Sequence, residues 1–154
     1  MRNLLALIVV CVIVFAIGCT PDASGAWRQA VVGSWILDQN VMGEHTQELL
    51  AIRADGSFES KVLFRNAAGM TFQSNEQGEW RIEGNEIELS TKKKNGQVPN
   101  AEQVSRDRRV IKKINSEKFV TADKKFDIEL LRKRAPAGFD LPAQDASSWI
   151  SPAK

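Results

Sequence analysis

Trp80-Arg81-Ile82-Glu83-Gly84-Asn85-Glu86-Ile87-Glu88-Leu89 decides the fold. Apolar residues at 80 and 82, and again at 87 and 89, alternate with charged ones. That is the period of two that sets one strand face on a core and the other in water. Between the two runs stands Gly84-Asn85, a pair that tolerates positive φ and closes a two-residue hairpin. The same grammar recurs upstream, where Asp55-Gly56 joins a strand expected over 47–53 to one over 57–65. In the latter, Phe58, Ser60, Val62 and Phe64 alternate with Glu59, Lys61, Leu63 and Arg65. Further strands are expected over 31–38, 69–74, 104–114, 117–122 and 126–133, the last with Phe126, Ile128 and Leu130 on one face. Only Gly43 to Leu50 also reads as a helical turn, and no amphipathic helix is expected within the domain. Eight or nine short strands with short connections predict an all-β chain, a small antiparallel up-and-down β-barrel. Closure removes the edges that an open meander would expose.

The chain begins with a different signal. Arg2 is followed by an uncharged apolar run of 14 residues, Leu4 to Ile17, and then by Gly18-Cys19. A membrane-spanning helix needs about 20 apolar residues, so the run is short for an anchor that stays in the bilayer. Ala16-Ile17-Gly18-Cys19 resembles the lipobox of bacterial lipoproteins, with Ala at the position where the pattern prefers Leu. The resemblance implies cleavage before Cys19 and acylation of its sulfur and new amino terminus. Two or three acyl chains, at about 0.8 kcal/mol per buried methylene, hold a domain firmly on a membrane. The alternatives are an uncleaved anchor and ordinary signal cleavage near Ser24-Gly25-Ala26. Thr20 rather than Asp follows the cysteine, which favours the outer membrane, facing the periplasm, where enterobacterial sorting applies.

This divides the chain into a cleaved signal over 1–18, a lipidated tether over 19–29, a barrel domain over 30–134 and an irregular tail over 135–154. In the tail Phe139, Leu141, Trp149 and Ile150 are candidates to dock on the barrel. The mature chain of 136 residues suits one core. Its only cysteine is Cys19, so the folded part has neither a disulfide nor a cysteine metal site. Residues 38–88 carry ten acids against four bases, and residues 92–134 carry fourteen bases against six acids. The basic half, around Arg106, Arg108, Arg109, Lys112 and Lys113, is a candidate face for an anionic partner or another envelope protein. An envelope address keeps the chain away from nucleic acid.

Gly33-Ser34-Trp35, Ala54-Asp55-Gly56-Ser57-Phe58, the Gly78 to Asn85 hairpin and Leu130-Leu131-Arg132-Lys133-Arg134 together resemble the lipocalin-like domains of bacterial secreted proteins over about residues 30–134. In that family the Gly-X-Trp tryptophan crosses one barrel end and an arginine of the last strand packs on it. The resemblance therefore implies that Gly33 and Trp35 close the barrel together with Arg132 or Arg134, by a cation and ring attraction of about 0.5–2 kcal/mol. The chain lacks the disulfides and the long first loop of many ligand-binding members. The lysozyme-inhibitor lipoproteins are the other envelope barrels considered; they carry cysteines and a tyrosine loop, and this chain has no tyrosine.

Residues that do chemistry are sparse. His45 is the only histidine, and Glu44, His45 and Glu48 are a thin set for a metal. Without a thiol or a second histidine no nucleophile and base pair is assembled. Glu86 and Glu88 share an outward strand face rather than a cleft. The reading is thus of a non-enzyme without catalytic, metal or cofactor residues. Its aromatic interior, with Trp35, Phe58, Phe64, Phe72 and Trp80 foremost, is the candidate pocket for a small apolar or amphipathic ligand. A barrel of eight strands is just wide enough either to be filled by its side chains or to hold one small ligand.

Overall fold

The structure is a computed structural model that describes residues 23–100, 105–126 and 128–141. The Cys19 lipobox, Trp149 and Ile150 lie outside the described residues. A helix α1 (Ala23–Val31) precedes eight strands: β1 (Gly33–Val41), β2 (Glu44–Ile52), β3 (Ser57–Arg65), β4 (Thr71–Glu83), β5 (Glu86–Lys94), β6 (Arg106–Ile114), β7 (Lys118–Asp123) and β8 (Glu129–Arg134). Each pairs antiparallel with the next, and β8 returns to β1, closing an up-and-down barrel. No helix among the described residues is long and apolar enough to cross a membrane.

The hairpins form where the turn chemistry says. Asp55 accepts hydrogen bonds from the Ser57 N–H at 2.8 Å and its hydroxyl at 2.6 Å, which fixes the turn before β3. Gly84-Asn85 joins β4 to β5 with Ile82 opposite Ile87 and Trp80 opposite Leu89. The separate strands expected at 69–74 and from Trp80 onward are one continuous strand, β4, bent by a register shift at Gln77/Gly78. Gly78 is required there because a Cβ would lie 2.0 Å from the Ser90 carbonyl oxygen and 2.8 Å from the Phe58 ring.

Three expectations are corrected. Gly43 to Leu50 contains no helical turn; after the turn residue Gly43, Glu44–Leu50 lies within β2. The last strand begins at Glu129, because the Asp123 carboxylate accepts the N–H groups of Lys125 and Phe126 and draws them into a turn. Phe126 and Ile128 are consequently exposed instead of facing the core. The second half of the supposed tether is the helix α1, whose Trp27 and Val31, four residues apart on one face, pack on the barrel core.

The core occupies the α1 half of the barrel. Val31, Trp35, Leu50, Ile52, Phe58, Ile82, Ile87, Ile111 and Phe119 form one buried cluster, with Trp27, Trp80, Leu89 and Ile114 packed against it. After β8, the Ala135 N–H donates to the Ser34 carbonyl at 2.8 Å and Asp140 pairs with Lys61 of β3 at 2.8 Å. The segment that follows the barrel thus runs from β1 to β3.

Candidate functional site

An up-and-down barrel sends alternate turns to opposite ends, and the two ends here differ in chemistry. The end holding α1 and the turns after β2, β4 and β6 is closed. Trp35 crosses it, fully buried, its indole N–H donating to the Val31 carbonyl at 2.8 Å and its ring 5.3 Å from that of Phe119. The Arg134 guanidinium lies over the same ring, 3.9 Å from the centroid. Its Nη1 donates to Val32 O at 2.9 Å and its Nε to Ser116 O at 3.1 Å, so one side chain ties the start of β1 to the turn after β6. Gly33 is the residue this arrangement demands, since a Cβ there would fall 1.8 Å from Arg134 Nη1 and the backbone has φ +135°. Of the two arginines considered, Arg134 packs on Trp35, while Arg132 goes inward.

Arg132 and Glu48 form a nearly buried ion pair in mid-barrel, Nη2 to Oε2 2.7 Å, with side-chain exposures of 5% and 12%. Thr121 accepts a bond from Arg132 at 3.1 Å and Ser60 donates to Glu48 at 3.0 Å, satisfying the remaining polar atoms. The void bounded by Leu50, Leu89, Arg109, Phe119, Thr121 and Arg132 measures only about 10 Å³. That volume is at the lower limit for a single water.

The five aromatic residues singled out from the sequence therefore divide. Trp35 and Phe58 are buried in the closed half, and Trp80 joins them from its edge, donating to Arg53 O at 2.8 Å. Phe64 and Phe72 pair at the other end, ring centroids 6.2 Å apart, with Phe72 exposed. His45 bonds Asp38 on the outer face at 2.7 Å, and this contact, followed by Gln47, holds the Asp38 carboxyl below its ordinary range. Glu48 turns inward to Arg132, so His45 and Glu48 do not converge. The basic face is also corrected: Arg108 is held outside by Glu88 at 2.7 Å and by Glu83 at 3.4 Å, while Arg109, bonded to Asp107 at 2.8 Å, lines the mid-barrel void and does not belong to that face.

The open end carries the feature that strand periodicity did not reveal. Among the described residues nine large apolar side chains are exposed, and seven of them belong to this end. They are Val41 and Met42 at the turn after β1, Met70 and Phe72 at the turn after β3, Val98 after β5, and Phe126 and Ile128 after β7. The closed-end turns, Ala54-Asp55-Gly56, Gly84-Asn85 and Asn115-Ser116-Glu117, contribute none. Inside the same half, Ser74 Oγ is buried without a hydrogen-bond partner. Turn residues escape a periodicity reading because they have no period. The available signal was the occurrence of Met42 and Met70 beside glycines, and of Val98 two residues after Gly96, in segments where polar residues are usual.

A second opening lies in the wall. β1 and β8 share only the pairs Trp35↔Arg134 and Ile36↔Lys133, although β1 continues to Val41 and β8 begins at Glu129. Where they part, a cleft of about 530 Å³ is lined by Ile36, Leu37, Asp38, Gln39, Glu129, Leu131, Lys133, Arg134 and Pro136. Its size lies within the range of ligand-sized clefts. No family model matches the chain, and no curated protein matches it.

Proposed function

We propose that this chain is a lipid-anchored lipocalin-like protein of the bacterial envelope that binds a small apolar or amphipathic ligand at the open end of its barrel, without catalysis. The supporting observation is the segregation of exposed apolar side chains. Seven of the nine among the described residues ring one end, above an interior in which Glu48, Arg132, Ser60 and Thr121 bond one another and Ser74 Oγ is buried without a partner. Apolar groups of a ligand would leave water against Met42, Phe72 and Phe126, at about 25 cal/mol per Å² buried. Trp35 and Phe58 are buried in the core and Trp80 lines a separate surface cleft of about 540 Å³ beside α1, so the open-end reading rests on Phe64, Phe72 and the turns around them.

The anchor fits this orientation. α1 sits on the closed end and Cys19 precedes Ala23 by four residues, a reach of about 14 Å at most. Acylation of Cys19 would set the closed end toward the membrane and the open end toward the periplasm. The alternative, an interaction module using its basic face, draws less support because Glu83, Glu86 and Glu88 surround Arg108.

Two measurements test the proposal. Intact mass of membrane-extracted protein should show loss of residues 1–18 and added acyl mass, both abolished by Cys19→Ala. Calorimetric titration with laurate and with a lysophospholipid should show saturable binding that a Met42→Ser, Phe72→Ser, Phe126→Ser variant loses. An unacylated amino terminus contradicts the anchor, and equal heats for the two proteins contradict the site.

A further inference from the structure

We propose that the open seam between β1 and β8 takes up an extended segment of a partner protein as an added strand. This is a second site, independent of ligand binding at the open end.

The argument starts from backbone direction. Ser34 O accepts from Ala135 N–H, so the main chain of Ser34 faces β8, and strand alternation turns Ile36, Asp38 and Asn40 the same way. Arg134 N–H donates to Glu117 O on the opposite side, so Lys133, Leu131 and Glu129 face β1. Continued with the same register, the Ile36↔Lys133 pair would be followed by Asp38↔Leu131 and Asn40↔Glu129, and neither is part of the ladder. Two facing strand edges thus present main-chain donors and acceptors that pair with no neighbouring strand. Such edges are a template for another strand.

The walls specify what kind of segment fits. Both banks carry apolar side chains: Ile36 and Leu37 on the β1 side, and Leu131, 46% exposed, with Pro136 on the β8 side. Charges of both signs, Asp38 and Glu129 against Lys133, stand between them. A small apolar molecule would leave the edge amides unpaired, whereas an extended peptide satisfies them and offers alternate side chains to the apolar banks. The free stretch of β1, Leu37 to Val41, sets the length at about five residues. Because β1 and β8 run antiparallel, the added strand would be parallel to one bank and antiparallel to the other.

The test uses the full-length protein on an array of random heptapeptides, with hydrogen exchange as the structural readout. We expect the retained peptides to alternate apolar and polar residues. The amides of Asp38, Asn40, Glu129 and Leu131 should exchange quickly in the free protein and be slowed by the peptide. Asn40→Pro removes a donor facing the seam and none facing β2, and Leu131→Ser thins one bank. Each should weaken binding by about tenfold or more. Phe72→Ser, at the open-end start of β4, should leave peptide binding unchanged, which separates this site from the open end. The proposal is overturned if those four amides are already protected in the free protein, if no peptide is retained, or if the Asn40→Pro and Leu131→Ser proteins bind as the unaltered one does. Should either variant fail to fold, the exchange pattern of the unaltered protein with and without peptide decides the matter.

Discussion

The Arg134 guanidinium lies where the Cβ of residue 33 would be in any residue but glycine, and it covers the Trp35 ring from there. Gly33, Trp35 and Arg134 are therefore one structural unit. Substituting any member should release the other two.

For that unit, Arg134→Ala should cost about 2–4 kcal/mol, from a cation and ring contact of about 0.5–2 kcal/mol and the loss of two hydrogen bonds to carbonyls. Trp35→Ala should cost about 3–5 kcal/mol as a large-to-small core change. In a double-mutant cycle the two losses should fall well short of adding, and urea denaturation of the four proteins measures it. Strict additivity would show that the contact contributes nothing.

Glu48 and Arg132 make the opposite kind of test, because their pairing is inside the barrel. Removing one partner, as in Glu48→Gln or Arg132→Met, leaves a charge without its counterpart and should destabilise by about 3–5 kcal/mol. The double variant Glu48→Leu, Arg132→Met should recover much of that loss, since apolar replacements of similar volume can substitute for a buried pair. Thermal unfolding of the three variants supplies the comparison. A double variant as unstable as the worse single one would argue that the pair is essential to barrel packing.

Acid should unfold the protein in part through Glu88. Its carboxyl is held down to about 2, chiefly by the hydrogen bond from Arg108 and then by that from Arg81. A carboxylate depressed in the folded state contributes stability that is complete above its ordinary value of 4.5 and lost as the pH falls through 2. The stability difference between the unaltered protein and Glu88→Gln should accordingly shrink on acidification across that window. A difference independent of pH over that range would contradict the assignment.

Much of the barrel was legible because its signals are local. Asp55-Gly56 and Gly84-Asn85 close hairpins that the structure contains, and alternation placed Phe58, Ile82 and Ile87 on the core. What escaped depends on longer-range contacts. Ala23–Val31 is composed largely of small residues and is helical with Trp27 and Val31 packed on the barrel, which a tether-like composition does not announce. Phe126 and Ile128 alternate as a strand should, yet the Asp123 carboxylate takes up the nearby N–H groups and ends the pattern. The candidate pocket divided for a related reason. Strand phase says which residues point inward, but only packing says that the Glu48 and Arg132 pair separates Trp35 and Phe58 from Phe64 and Phe72.

The account rests on the open end as the place where ligand meets protein, and a site-resolved probe tests that most directly. Protein starting at Thr20 contains no cysteine. Met42→Cys at the open end and Asn85→Cys at the closed end can therefore each carry a single acrylodan. Titrated with laurate below its micelle concentration, the label at 42 should shift to the blue and saturate, and the label at 85 should not respond. A silent label at 42, or equal shifts at both positions, would contradict the open end as the binding surface.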